Sequence, residues 1–147
     1  MKKETLSKVW NIIFSLVFIL IFALFASMNS DIIESITLFE IVVITLATFR
    51  LIRLVVYDKI MKWLRDIFEL DEPTGINQTL KDLTSCPWCF GVWATLIIFI
   101  INFSIPGGSL FTLLLAISGV AAVIQITINL IGWNAQYKKI ETQKLEK

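Results

Sequence analysis

The chain has no histidine, and its two cysteines lie three positions apart. The missing histidine removes the side chain that most often acts as an acid or base catalyst at neutral pH. One close pair of cysteines cannot staple a fold, so no disulfide framework is implied. The sequence also lacks the motifs G-x-x-x-x-G-K-[ST], G-x-S-x-G and H-E-x-x-H, which mark phosphate-binding, serine-hydrolase and zinc-protease sites. These absences predict a protein that is not an enzyme and needs no cofactor.

An excess of charge of either sign is also missing. The net charge is +1 and no basic stripe occurs, so nothing indicates a nucleic-acid partner. Apolar sequence is abundant instead. Hydrophobic residues make up 56% of the chain, whereas a soluble domain is about 45–50% apolar. The mean hydropathy is +0.78. This composition indicates a small membrane protein.

Four apolar runs are long enough to cross a bilayer. They cover residues 9–27, 33–56, 87–105 and 110–133. The first run carries no charge and, as a helix, is roughly 28 Å long, close to the ~30 Å hydrocarbon core of a membrane. It is longer than the apolar part of a signal peptide and no clear cleavage site follows it, so we expect a retained helix. The sequence therefore predicts one all-α membrane domain over residues 1–147, a polytopic protein with four transmembrane helices.

The segments between the runs carry their own signals. The residues 106–109, Pro-Gly-Gly-Ser, predict a tight turn that makes the last two runs an antiparallel hairpin. In the loop 57–86, apolar residues recur at helical spacing after Asp58, with basic residues on the other face. We expect Asp58 to cap an amphipathic helix over 58–70 that lies at the membrane surface. A second short helix, over 78–84, then leads to the cysteines.

The placement of positive charge predicts the topology. Every lysine and arginine lies in one of three places: the amino-terminal end, the stretch from Arg50 to Cys86, or the tail 134–147. The spacers 28–32 and 106–109 have none. The positive-inside rule then puts both termini and the central loop in the cytoplasm of the bacterial inner membrane. A belt of tryptophans at the cytoplasmic interface is expected to anchor the helices. Its members are Trp10, Trp88, Trp93 and Trp133.

The segment Cys86-Pro87-Trp88-Cys89 is the candidate for metal or redox chemistry, and three interpretations stay open. Residues three apart share a helix face, and Pro87 suits the first position of a helix, where a thiolate is stabilised. This geometry fits redox or acylation chemistry, although a redox C-x-x-C pair normally lies in a βαβ unit, which is absent here. A zinc site needs four ligands, so this single pair would need a second copy of the chain. In the third interpretation, Cys86 and Cys89 are small apolar residues that pack at a helix start.

Charged residues at the end of the second run form a candidate binding surface. Arg50 and Arg53 lie within an apolar run, where ionisable side chains are costly. They either reach the interface as anchors, bind a lipid headgroup, or pair with Asp58 or a partner chain. The partner- or lipid-binding set is Arg50, Arg53, Asp58, Lys59, Lys62 and Arg65. On the last run, Gln125 and Asn129 share one face, as polar residues that join membrane helices do.

Two blocks of the sequence resemble a known family. They are A-T-F-R-L-I-R-L, beginning at Ala47, and C-P-W-C-F-G-V-W, beginning at Cys86. Together they resemble the uncharacterised membrane family known as domain of unknown function 1360. Its members are small multi-pass proteins of bacteria and their phages, including a sporulation-associated protein of bacilli. The resemblance covers roughly Phe39 to Trp133 and leaves the first run and the lysine-rich tail outside. It implies a bacterial or phage source and assigns no role to any residue.

We expect a membrane or assembly component without enzymatic activity that binds a partner protein or an anionic lipid at its cytoplasmic face. Its partners would be the bilayer and either a second copy of the chain or another membrane protein. Two alternatives stay open. One is a pore-forming lysis protein of the holin type. The other is a membrane thiol-redox or metal-binding protein that uses Cys86 and Cys89.

Overall fold

The computed structural model describes residues 2–28, 35–68 and 75–145, and within these ranges it contains helices and no strand. In chain order the elements are α1 (Lys2–Met28), α2 (Leu38–Ile52), a π-helical turn (Arg53–Tyr57), a 3-10 turn (Lys59–Met61), α3 (Lys62–Phe68), α4 (Ile76–Ser85), α5 (Pro87–Ser104) and α6 (Gly108–Leu145). The predicted all-α class is confirmed.

Within the described residues, three helices are long and apolar enough to cross a membrane, which makes this a membrane protein. These segments are Thr5–Met28, Pro87–Ser104 and Gly108–Gln143, with mean hydropathies of 2.6, 1.7 and 2.2. The predicted second span, 33–56, is divided in the structure. Its first two residues lie outside the described residues, α2 has 15 residues, and the π-helical turn adds 5 more. At roughly 22 Å, α2 alone is shorter than a ~30 Å hydrocarbon core, so the count of four spans stays a prediction.

A capping box fixes the start of α2. The Glu40 backbone N–H donates to Thr37 Oγ1 at 3.3 Å, and the Thr37 backbone N–H donates to Glu40 Oε2 at 2.8 Å. The Thr37 hydroxyl also donates to Glu40 Oε2 at 2.9 Å. These bonds satisfy amide groups that the first turn of a helix cannot satisfy internally. The pattern T-x-x-E in the sequence signals this cap directly.

A tight turn joins α5 and α6, as predicted. The Gly108 backbone N–H donates to the carbonyl of Ile105 at 2.9 Å, and Gly107 has φ +80°. Proline at the second position and a positive φ at the third define a type II turn, which favours glycine. Gly108 packs so closely on the backbone of Ile101 that a Cβ atom there would overlap the carbonyl oxygen. The antiparallel hairpin is therefore confirmed.

The core lies between α2, α5 and α6. Ile44 and Ala47 of α2 pack with Ile98 of α5 and Ala116 of α6. At Gly119, α6 approaches α2 so closely that a Cβ atom would lie 2.6 Å from the carbonyl oxygen of Leu46. Small residues at such crossings let helix backbones approach, which is the usual way that membrane helices pack.

Aromatic rings and one polar contact attach α1 to the side of this core. The ring of Trp93 on α5 packs edge-on against Phe14 and Phe18, with centroids 6.0 and 5.4 Å apart. On α4, the Thr79 hydroxyl donates to Asn11 Oδ1 of α1 at 2.9 Å. These contacts join α1 to α4 at Asn11 and to α5 at Phe14 and Phe18.

Helix α6 continues past the predicted end of the last span. The sequence predicts a boundary at residue 133, whereas α6 runs without a break to Leu145. No proline follows Gly132 and the residues after it are mostly good helix formers, so nothing local stops the helix. Every residue of the segment 123–143 is exposed. The end of α6 therefore projects from the bundle.

Candidate functional site

Two of the predicted charged residues, Arg50 and Asp58, meet where α2 ends. Arg50 Nη1 donates to Asp58 Oδ2 at 3.1 Å, and the two side chains are 22% and 28% exposed. An ion pair between Arg50 and Asp58 was one of the alternatives that the sequence left open, and the structure contains it. In a continuous α-helix, residues eight apart are separated by roughly 12 Å of rise, so the pair requires the chain to turn.

The π-helical turn produces that change of direction. The Asp58 backbone N–H donates to the carbonyl of Arg53 at 2.9 Å, one residue further back than in an α-helix. Asp58 itself is extended, with φ −75° and ψ 145°. Short π-helical segments are rare and often occur at functional sites. The extra residue and the extended backbone together return the Asp58 carboxylate towards Arg50.

The predicted capping role of Asp58 is not seen. Asp58 precedes the 3-10 turn, but its side chain makes no capping hydrogen bond to that turn. Its carboxylate pairs with Arg50 instead. The predicted loop helix over 58–70 is in part this 3-10 turn and the seven-residue helix α3. Residues 69 and 70 lie outside the described residues, so a single amphipathic helix over the whole segment stays a prediction.

Arg65 ties the loop back to the end of α2. Its Nη1 donates to the carbonyl oxygens of Val55 at 2.6 Å and Asp58 at 3.1 Å. Carbonyls at the end of a helix lack partners within the helix, so a cationic donor there is stabilising. Arg53, also in the predicted set, lies with its Cζ 5.6 Å from the ring centroid of Tyr57. A guanidinium at that distance makes a cation–π contact.

A basic cleft lies between α3 and α4. Its volume is about 190 Å³. The lining residues are Lys62, Arg65, Asp66, Lys81, Thr84 and Ser85. Three cations and one carboxylate give the cleft an excess of positive charge, which suits an anionic ligand. Lys59, another member of the predicted set, is exposed and does not line this cleft.

Lys81 is the residue that the sequence analysis missed. It comes from α4, while Lys62 and Arg65 come from α3, and the fold brings the two helices together. Lys81 is the single basic residue between Arg65 and Lys138. One isolated lysine is not the cluster of basic residues by which a lipid-binding segment is recognised in a sequence.

The cysteine pair forms the start of α5. Cys86 is the N-cap residue and Pro87 takes the first helical position, as predicted. The Cys89 backbone N–H donates to Cys86 Sγ at 3.4 Å. Hydrogen bonds from the Cys89 thiol and then from the Cys89 backbone hold the pKa of Cys86 below its ordinary value. Both thiols are free. Cys86 thus has more thiolate character than an isolated cysteine.

No metal site accompanies these thiols in the described part of the chain. Among residues 2–28, 35–68 and 75–145, no three His, Cys, Asp or Glu side chains group as metal ligands would. A metal shared between two copies of the chain stays a prediction, as do redox and acylation chemistry.

The four predicted anchor tryptophans divide into two pairs. Trp88 and Trp133 are 86% and 75% exposed, as interface anchors would be. Trp93 is half-buried and holds α1 through its ring contacts. Trp10 is half-buried as well, and its indole lies against Gly75 ahead of α4. Trp10 and Trp93 therefore pack helices together besides any anchoring role.

A second cavity opens between α1, α4 and α5. It has a volume of about 430 Å³. Its polar wall includes Asn11, Thr79 and Asp82, and its apolar wall includes Phe18 and Trp93. No sequence motif marks this cavity, because its walls come from three separate helices.

The comparisons with known proteins agree with the resemblance read from the sequence. The family model described as "Protein of unknown function (DUF1360)" matches residues 43–73 and 69–128. Sporulation protein YjcA of Bacillus subtilis (strain 168) is 34% identical, over 60% of this chain and 90% of that protein. UPF0713 protein YngL of the same organism is 27% identical, over 59% of this chain and 76% of that protein. No solved structure matches the chain.

The family match includes the end of α2, the basic cleft, the cysteine pair and the hairpin turn. It leaves out α1 and the projecting end of α6. The ion pair, the cleft and the cysteines thus all lie within the matched part, and the chain belongs to the DUF1360 family of proteins of unknown function.

Proposed function

We propose that this protein is a non-enzymatic, four-span membrane component whose basic cleft binds the phosphate of an anionic lipid headgroup. The observation that carries the proposal is the convergence of Lys62, Arg65 and Lys81 on one cleft that contains a single carboxylate, Asp66. Near a membrane surface, each such cation contributes about 1 kcal/mol to the attraction of anionic lipid.

The cleft is also in a suitable position for a headgroup. Its last two lining residues, Thr84 and Ser85, directly precede Cys86 and the membrane-spanning helix α5. A lipid phosphate lies at this depth, just outside the hydrocarbon core. The hydroxyl of Ser85 adds a hydrogen-bond donor for phosphate oxygens.

Lys62 and Lys81 are the proposed ligand-binding residues, and the arginines are their framework. Arg50 pairs with Asp58, and Arg65 donates from Nη1 to two backbone carbonyls. These bonds hold α3 against the end of α2, and α3 in turn positions Lys62. This division of roles differs from the initial expectation that Arg50 and Arg53 contact the ligand.

The proposed topology has four spans, with both termini and the loop that carries the cleft in the cytoplasm of a bacterial inner membrane. Helix α2 and the π-helical turn would together form the second span in chain order, since their combined length is about 30 Å. This span brings the total to four. The distribution of lysine and arginine supports this orientation. A sporulation-related process is supported by the name of one relative, sporulation protein YjcA.

Protease accessibility tests the span count. Four spans put both termini on one side of the membrane, whereas three spans put them on opposite sides. The chain would carry an epitope tag at each end in turn, and both tags should resist protease in spheroplasts and be cleaved in inverted vesicles. Cleavage of one tag in each preparation would overturn the four-span topology.

Calorimetric titration tests the cleft. The protein in neutral detergent is titrated with a short-chain phosphatidylglycerol, and the variant K62A/K81A should bind it roughly 30-fold more weakly because two cations are removed. The matched control is K138A/K139A, which removes two exposed lysines from α6 and should leave the affinity unchanged. Equal affinity of K62A/K81A and the unmodified protein would overturn the proposal, as would equally tight binding of phosphatidylcholine.

A further inference from the structure

One face of α6 carries a seam with coiled-coil spacing. Its residues recur at alternate intervals of four and three, which places them at the two core positions of a heptad. The α6 seam consists of Thr112, Ala116, Gly119, Val123, Ile126, Leu130, Trp133, Tyr137 and Ile140. Four heptads of such spacing exceed what an ordinary amphipathic helix of a globular protein needs.

The first part of the seam has a partner within the chain. Ala116 lies in the core with Ile44 and Ala47 of α2, and Gly119 meets the backbone of Leu46. The contact does not continue along the helix, since every residue from 123 to 143 is exposed. The seam itself does continue.

The second part of the seam is uncovered. Leu130, Trp133 and Tyr137 are 60%, 75% and 70% exposed. Val123, Ile126 and Ile140 are exposed as well. The same face of one helix is therefore a packed interface in its first half and an exposed apolar stripe in its second, where Ile124, Ile128 and Ile131 outside the seam are exposed as well.

Lipid does not cover all of this stripe. Helix α6 has 38 residues, which corresponds to roughly 57 Å, and the hydrocarbon core takes up ~30 Å of it. Because α6 starts at the tight turn where α5 ends and its span is predicted to end at residue 133, roughly its last 12 residues extend past the hydrocarbon. Tyr137 and Ile140 belong to that extension, and Trp133 lies at its start. A helix that carries an apolar stripe outside the membrane needs a protein surface to bury it.

The positions beside the exposed seam fit an identical helix. In a parallel coiled coil, charges at these flanking positions decide which helices pair. Here the flanking residues are Thr127, Asn129, Asn134, Gln136, Glu141 and Gln143, of which one is charged. Lys138 and Lys139 lie on the outer side of the helix, away from the seam. A second copy in register therefore brings no block of like charge together.

We propose that the exposed half of the α6 seam pairs, parallel and in register, with the same segment of a second copy of this chain. The contact extends the existing interface between α2 and α6 along the same face. Trp133 and Tyr137 supply the largest apolar surfaces, and aromatic residues of this kind dominate interface energetics. This homodimer is independent of lipid binding in the basic cleft.

Disulfide cross-linking in membranes tests the pairing and its register. The background is C86S/C89S, and single cysteines are introduced by Leu130→Cys, Tyr137→Cys and Ile140→Cys. The matched controls, Ala135→Cys and Thr142→Cys, lie on the opposite side of the same exposed helix. A disulfide requires Cα atoms about 4.4–6.8 Å apart, so the oxidised dimer should form several-fold more at the seam positions than at the controls.

Two cross-linking results would overturn the proposal. One is equal or stronger cross-linking at Ala135→Cys and Thr142→Cys, and the other is no cross-linking at any seam position. Light scattering of the detergent-solubilised protein gives an independent measurement. It should show a protein mass of two 16.8 kDa chains, reduced to one chain by L130E/Y137E and unchanged by A135E. A single-chain mass for the unmodified protein would also overturn the homodimer.

Discussion

Replacing Gly119 with alanine tests the closest helix approach in the bundle. The added Cβ atom would lie 2.6 Å from the carbonyl oxygen of Leu46 and 3.3 Å from its carbonyl carbon. The obstacle is backbone, so no side chain can turn aside, and α2 and α6 have to separate. Overpacking of this kind costs roughly 1–3 kcal/mol. Alanine in a helix offsets about 1 kcal/mol of that cost relative to glycine.

Gly132→Ala is the matched control for this substitution. It makes the same chemical change on the same helix, but nothing lies within 4 Å of the added atom. It should leave the stability unchanged or raise it by up to about 1 kcal/mol. The free energies of unfolding of the two variants should then differ by roughly 1–3 kcal/mol, measured by titration with dodecyl sulfate in mixed micelles. Equal values for the two variants would refute the close approach of α2 and α6.

Three other substitutions test the loop, the attachment of α1 and the thiol pair. Arg65→Ala removes both charge-assisted hydrogen bonds to carbonyl oxygens near Val55, each worth about 1.5–3 kcal/mol, so amide hydrogen exchange in the segment 53–61 should accelerate. Asn11→Ala removes the hydrogen bond between α1 and α4, and the free energy of unfolding should fall by about 1 kcal/mol. Cys89→Ala removes the hydrogen bond that contributes most to lowering the pKa of Cys86. That pKa should rise, so alkylation of Cys86 should slow at neutral pH and its pH profile should move to higher pH.

Each of these expectations has a contradicting result. The expectation for Arg65→Ala is contradicted if amide hydrogen exchange in residues 53–61 is no faster in that variant than in Lys59→Ala, which removes an exposed cation nearby. The expectation for Asn11→Ala is contradicted if its free energy of unfolding equals that of an exposed control such as Ser15→Ala. The expectation for Cys86 is contradicted if Cys89→Ala leaves the pH dependence of its alkylation rate unchanged.

The elements that the sequence predicted well are those with strong local signals. Residues 106–109 define a turn through proline and glycine alone, and Pro87 marks the start of α5 because proline cannot occur deep within a helix. The apolar runs also indicated membrane-crossing helices, because the length and apolar composition of a segment decide whether it can span a bilayer.

Other features depend on contacts between distant segments, and the sequence could not show them. The π-helical turn at 53–57 has no composition signal, and it redirected Asp58 from a cap to an ion pair with Arg50. The basic cleft needed α3 and α4 side by side, so Lys81 was missed. Helix α6 continues past the predicted span end at residue 133, because hydropathy falls after Trp133 while helix propensity persists.

The predictions of a pore and of thiol or metal chemistry stay as they were stated. The lowered pKa of Cys86 bears on the prediction of thiol or metal chemistry, because it increases the thiolate character of that residue. The polar face at Gln125 and Asn129 joins no helices within the described chain. Their side chains bond to each other at 3.1 Å, on an exposed part of α6.

The cleft between α3 and α4 is proposed to hold an anionic headgroup, and the function proposed for this protein depends on that binding. Native mass spectrometry of the protein released from bacterial membranes tests this claim directly, because it identifies the lipids that remain bound. The unmodified protein and K138A/K139A should retain phosphatidylglycerol or cardiolipin, and K62A/K81A should lose it. Retention of the same anionic lipid by K62A/K81A, or no bound anionic lipid on the unmodified protein, would contradict the account.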